Sequence, residues 1–119
     1  MSKFTFVDER QWIREEVVGH AIDRCTLWRD DTISFSFVKM PPNYDLGLHK
    51  HESWVAVYLV EGTMKWESDG EERKVSAGDF YFVPDGEKHV ETSIDECLVM
   101  IIKAEPNVQY RIDPAGNRM

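Results

Sequence analysis

From Cys25 onward the chain is a succession of short strand-like runs cut by tight turn signals. That rhythm leaves few folds open to it. Ile33-Ser-Phe-Ser-Phe-Val-Lys-Met40 alternates apolar with small polar side chains, the period-two pattern of a strand with one buried face. Pro41-Pro42-Asn43 stops it. Trp54-Val-Ala-Val-Tyr-Leu-Val60 is apolar at successive positions, so both of its faces are expected to be covered. Gly62 breaks that run. Thr63 to Ser68 and Glu72 to Val75 flank Asp69-Gly70, a strong hairpin turn. Phe80 to Val83, His89 to Thr92 and Cys97 to Lys103 complete the set, with turns at Ala77-Gly78-Asp79 and Pro84-Asp85-Gly86. Many short strands and few helices predict an all-β fold, an antiparallel barrel or double-sheet jelly roll.

The 119 residues suit a single domain spanning 1–119, and 42% apolar content is enough for one packed core. Asp8 to Gly19 fits either a short helix or an extended arm. Asp8 with Gln11 could form its cap, Gly19 could end it, and Trp12, Ile13 and Val17 give an apolar stripe. The stretch after Pro106 reads as a surface arm. Phe35, Phe37, Tyr58, Trp66, Phe80 and Phe82 fall in expected strands and are mostly assigned to the core. Trp12, Trp28 and Trp54 are assigned to the barrel exterior or a dimer contact. A net charge of -8 argues against nucleic acid or an anionic membrane as partner, since both demand clustered Lys and Arg. The N-terminus lacks the apolar core of a signal peptide and no run is long enough to span a bilayer, so a cytoplasmic protein is expected. Cys25 and Cys97 are far apart and outside any C-x-x-C spacing, which fits two buried thiols in strands.

Three of the four histidines lie in two segments framed by glycine and proline. His49 and His51 are two apart, so on a strand both imidazoles point to one face. His89, from a neighbouring strand, would complete one side of a metal site. Glu91 shares a strand face with His89 and is expected nearby, either behind the ligands or as a base. Val55 and Val57 continue the face of His49 and His51 and are expected to form an apolar pocket wall. His20 lies outside both segments and reads as an ordinary loop or helix-end residue.

The two segments resemble the paired motifs of the cupin superfamily. Motif 1 spans 43–62: Asn43, five residues, His49-x-His51, three residues, Val55, six residues, Gly62. Motif 2 spans 78–93: Gly78, five residues, Pro84-x-Gly86-x-x-His89, three residues, Ser93. The resemblance implies a small antiparallel cupin barrel with His49, His51 and His89 as metal ligands. It departs from the family pattern in three places. Asn43 stands for the first glycine, a mild change because Asn tolerates a left-handed backbone. Ser93 stands for an asparagine. Val55 stands where the family usually carries a glutamate ligand, and valine coordinates nothing.

A carboxylate-free set of three imidazoles with open positions suits Fe(II), Zn(II), Ni(II), Cu(II) or Mn(II). The first motif is similar to that of three-histidine cupin dioxygenases, which favours Fe(II) and a dioxygenase acting on a small carbonyl or phenolic compound. Two other readings stay open. One is a non-redox, metal-dependent isomerase, cyclase or lyase. The other is a non-catalytic barrel that binds a small molecule. The doubly apolar Trp54–Val60 run makes a homodimer the expected assembly.

Overall fold

Backbone pairing follows the period-two runs closely. A computed structural model describes residues 1–17 and 20–119 of the chain. Its strands are β1 (Ile13–Val17), β2 (His20–Arg29), β3 (Ile33–Met40), β4 (Tyr44–Asp45), β5 (His49–His51) and β6 (Val55–Glu61). They continue as β7 (Thr63–Ser68), β8 (Glu71–Ser76), β9 (Phe80–Val83), β10 (Val90–Ser93), β11 (Cys97–Ala104) and β12 (Gln109–Arg111). One sheet runs in the order β1-β2-β3-β11-β6-β9, a second in the order β4-β10-β7-β8, and β12 pairs with β5. These strand pairings are all antiparallel. The result is the all-β, double-sheet barrel that the turn rhythm calls for. No helix among the described residues is long and apolar enough to cross a membrane.

The core is aliphatic. Leu59, Met64, Val99 and Val38 are almost fully buried between the sheets, with Val55 and Val57 beside them. The aromatics sit elsewhere than expected. Tyr58, Phe80 and Phe82 are exposed on the outer face of the large sheet, while Phe35 and Phe37 are half-buried. Strand phase explains the difference. The inward set on β11 is Cys97, Val99 and Ile101, and on β6 it is Val55, Val57 and Leu59, which leaves Tyr58 facing out. The N-terminal segment covers part of that outer face. Arg10 lies over the Phe37 ring at 4.3 Å, and Lys39 lies over the Trp12 ring at 4.1 Å.

Two expectations at the ends need correction. Of the two readings of Asp8–Gly19 the helix fails and the extended one holds: among the described residues a 3-10 turn at Val7–Glu9 is followed by strand β1. Gly19 lies outside the described residues, and His20 opens β2 rather than ending a helix. A helix of that length is marginal alone in water. Pairing along β2 instead satisfies the backbone, and Arg14–Asp23 and Arg24–Glu15 add cross-strand ion pairs at 3.0 and 2.8 Å. The tail after Pro106 is not a free arm either. It forms β12 against β5 and buries Ile112.

Two corners set the path. Asn43 has φ 57, the left-handed geometry that its side chain tolerates. Gly62 has φ 98 and carries the chain from β6 directly into β7, from one sheet to the other. A Cβ there would meet the carbonyl oxygen of Glu96 and, at 2.9 Å, Cys97 Sγ. Both cysteines are buried free thiols.

Candidate metal centre

His49 and His51 occupy the two ends of β5, both pointing inward. His89 reaches the same spot because its backbone pairs directly with that of His49. The His49 N–H donates to His89 O at 3.0 Å, and the His89 N–H donates to His49 O at 3.1 Å. This two-way pair fixes the third histidine relative to the first. The ring centroids of His49 and His89 are 4.2 Å apart, and that of His51 lies 5.2 and 5.3 Å from them.

Glu91 enters the cluster two residues beyond His89, on the same face of β10. Its Oε1 lies 3.3 Å from His49 Nε2 and 3.2 Å from His89 Nε2. One ligand atom from each of His49, His51, His89 and Glu91 lies within 4.8 Å of all the others, and all four residues are buried. The three-histidine, carboxylate-free set read from Val55 is therefore corrected. The carboxylate missing at Val55 on β6 is supplied by Glu91 on β10.

The main chain fixes two tautomers. His49 Nδ1 lies 2.8 Å from Gly47 O and His89 Nδ1 lies 3.0 Å from Glu87 O. A carbonyl only accepts, so each Nδ1 carries the proton and each Nε2 presents a lone pair to the cluster. His49 Nε2 is buried and makes no hydrogen bond, despite its closeness to Glu91. Lone pairs converging on one buried point repel unless a proton or a cation joins them. The donor set and its orphaned nitrogen thus fit a divalent metal ion, with the backbone carbonyls orienting the imidazoles.

The titration directions differ between the ligands. Burial, together with the neighbouring His49 and His89, pulls His51 down to about 3, so it stays a neutral donor. Burial alone would raise the Glu91 carboxyl, but His49 and His89 outweigh it and hold Glu91 well below the usual range. Burial pulls His89 down, yet the hydrogen bond and charge of Glu91 leave it raised overall, so with no cation between them a proton on His89 Nε2 bridges to Glu91 Oε1. Tyr81 donates its hydroxyl to Glu91 Oε2. Burial first, then the Glu91 charge, push the Tyr81 phenol well above its ordinary value, so it remains a donor. Tyr81 is a positioning residue: it holds the far oxygen of Glu91 and leaves the near one for the cluster.

Residues 36–100 match the family model of the cupin domain, which is more than half of the chain. The chain is a cupin. An oxalate-binding protein of Thermotoga maritima is 36% identical to this cupin over 56 residues, 46% of this chain and 46% of that protein. The match thus spans less than half of the relative's length. Among solved structures, KdgF from Halomonas sp. superposes with a TM-score of 0.75 at 24% identity, covering 87% of this cupin and 94% of that chain. The polyketide cyclase RemF from Streptomyces resistomycificus superposes with a TM-score of 0.76 at 20% identity, covering 96% and 89%. At these identities the likeness is one of fold.

This cupin holds a buried metal-binding site of three histidines and one glutamate. His51 and Glu91 line a cavity of about 50 Å³ within the barrel. Val55, Val57, Met64 and Ile101 form its apolar wall, and Arg24, Lys103 and Gln109 its polar part. Sequence reasoning missed Tyr81, Lys103 and Gln109. The alternation of Val108, Tyr110 and Ile112 is a strand signal that would have drawn the tail into the barrel.

Proposed function

We propose that this cupin is a metal-dependent dioxygenase acting on a small carbonyl compound that binds through two oxygens. One observation carries the reading. The cavity beside the ligands is walled by aliphatic side chains, and among its described lining residues Glu91 is the sole carboxylate. Glu91 is already committed, through one oxygen to the histidines and through the other to Tyr81. No carboxylate is left free in that wall to act as an acid or base, which supports activation by a metal. A redox-active ion, Fe(II) first among the candidates, would supply electron transfer between a chelated substrate and dioxygen.

The chain's own contribution is placement and exclusion of water. His49, His51, His89 and Glu91 would hold the ion beside the cavity. Val55 and Val57 shield the cavity side from solvent. Tyr81 keeps Glu91 oriented. The small cavity favours a compact diketone or hydroxyketone over a phenolic substrate. The buried free thiols of Cys25 and Cys97 favour a reducing, cytoplasmic setting.

The test is oxygen uptake by Fe(II)-loaded protein with a panel of small diketones and hydroxyketones. We expect consumption of dioxygen with at least one of them, lost in Glu91→Gln. Turnover with Zn(II) and no oxygen uptake would replace this reading by a non-redox lyase, cyclase or isomerase. Saturable binding without turnover of any kind would make the protein a binding module, the reading that the name of the Thermotoga relative supports.

A homodimer is part of the proposal. β9 is the edge of the large sheet, and Phe80, Phe82 and Tyr58 expose 59%, 54% and 43% of their surface beside it. An apolar sheet edge of this kind needs a cover, and a second copy supplies a matching one. Sedimentation should give twice the 13.9 kDa chain mass. Phe80→Asp with Phe82→Asp should return it to the single chain. A wild-type monomer at micromolar concentration would refute the dimer.

A further inference from the structure

Three polar side chains share the cavity wall with His51 and Glu91: Arg24, Lys103 and Gln109. Arg24 is engaged, with Nε 2.8 Å from Glu15 Oε2. Arg29, in the neighbouring surface pocket, lies 3.5 Å from Glu105 Oε2. Lys103 is different. It is half-buried and forms no ion pair among the described residues. The amide nitrogen of Gln109 is buried without an acceptor.

Register places Gln109 beside a ligand and Lys103 beside the apolar wall of the same cavity. Gln109 on β12 stands opposite His51 on β5. Lys103 on β11 stands opposite Val55 on β6. An ammonium with no ion pair, Glu105 and Glu15 acting on it only from the neighbouring pocket, and an N–H donor with no acceptor therefore line the cavity that His51 and Glu91 border. Both are costly to leave unsatisfied away from bulk water. A water molecule could accept from the amide but would not neutralise the ammonium. A carboxylate would do both, through charge-assisted hydrogen bonds. The room is limited. About 50 Å³ corresponds to roughly three to five waters at roughly 10–15 Å³ each, so the ligand has only a handful of non-hydrogen atoms.

We propose that the cavity takes a small oxo- or hydroxycarboxylate, with one carboxylate oxygen held by Lys103 and the Gln109 amide and the other directed, with the oxo or hydroxyl oxygen, toward the three-histidine, one-glutamate cluster. The second contact rests on the metal reading above; the first does not. Lys103 and Gln109 would then decide specificity, selecting an acid over a neutral ketone of equal size.

Pyruvate and butane-2,3-dione make the comparison, since they are nearly isosteric and differ in charge. Calorimetric titration at low ionic strength should show pyruvate binding at least tenfold tighter than the dione. Lys103→Met should weaken pyruvate by about tenfold or more and leave the dione within about twofold. Lys103→Arg should restore most of the pyruvate affinity, and Gln109→Leu should weaken it several-fold. Should the methionine variant fail to fold, Lys103→Gln gives the same comparison. Equal binding of the two ligands, no pyruvate binding at millimolar concentration, or pyruvate affinity unchanged in both the methionine and glutamine variants would overturn the proposal. Repeating the titration on metal-stripped protein separates the two readings. Lys103-dependent pyruvate binding in protein that takes up no metal would support the anion site and refute the metal-dependent activity.

Discussion

His49→Ala and His89→Ala should each abolish stoichiometric metal binding. Each imidazole supplies one of the four converging ligand atoms, and each is oriented by a backbone carbonyl that no neighbouring side chain can replace. Metal analysis of protein purified without chelator should give one ion per wild-type chain and a small residue in the variants. Thermal melting gives the second readout. An ion present at about a thousand times its dissociation constant stabilises the fold by about 4 kcal/mol. For a domain of this size that raises the melting temperature on the order of 10–20 °C. Wild-type protein should show that rise on metal addition, and the two variants should not. Glu91→Gln keeps the shape and the contact with Tyr81 but removes the charge, so it should retain metal with affinity lower by about 100-fold. Full metal occupancy in both histidine variants would sink the assignment.

Gly62→Ala should cost more stability than any other single-methyl addition at a glycine in the barrel. A side chain at φ 98 is strained to begin with. Its Cβ would also press on the Glu96 carbonyl and on the Cys97 Sγ and Cα, at 2.9 and 3.0 Å. Neither neighbour can retreat. Cys97 is fully buried and its thiol donates to Thr63 O at 3.2 Å. Strain and overpacking together should cost about 3–5 kcal/mol, against a typical total of about 5–15 kcal/mol. Gly70→Ala is the control. Gly70 also has positive φ, 78, but nothing lies within 4 Å of its added methyl. It should lose only about 1–2 kcal/mol. Equal loss in the two variants, measured by denaturant unfolding, would show that the close approach at Gly62 has no energetic weight.

Much of this was legible in the sequence. The alternation in Ile33–Met40 and the Asp69-Gly70 turn point to a barrel, and the spacing of His49 and His51 to two imidazoles on one face. The convergence of His89 with them came from the resemblance to the cupin motifs. Glu91 was legible only by half. Period two places it on the face of His89, but its contact with both Nε2 atoms depends on the His49–His89 backbone pair, which joins two segments far apart in the chain. Val55 pointed the wrong way for the same reason: an empty position on one strand says nothing of what the next strand supplies. The N-terminal helix failed because β2 offered Ile13–Val17 a pairing partner that a local pattern does not contain. Lys103 and Gln109 stayed hidden because their meaning lies in what they lack, an acceptor and a counter-charge, and only the folded neighbourhood reveals that.

The pairing of β12 with β5 carries a practical consequence for anyone handling this protein. The strand that bears His49 and His51 has the short Gln109–Arg111 strand as its partner, outside both main sheets. Fraying of that partner would therefore loosen the ligand strand before it touched the main sheets. A bulky insertion beside it, or a protease nick after Pro106, would be read out first as lost metal rather than as lost fold.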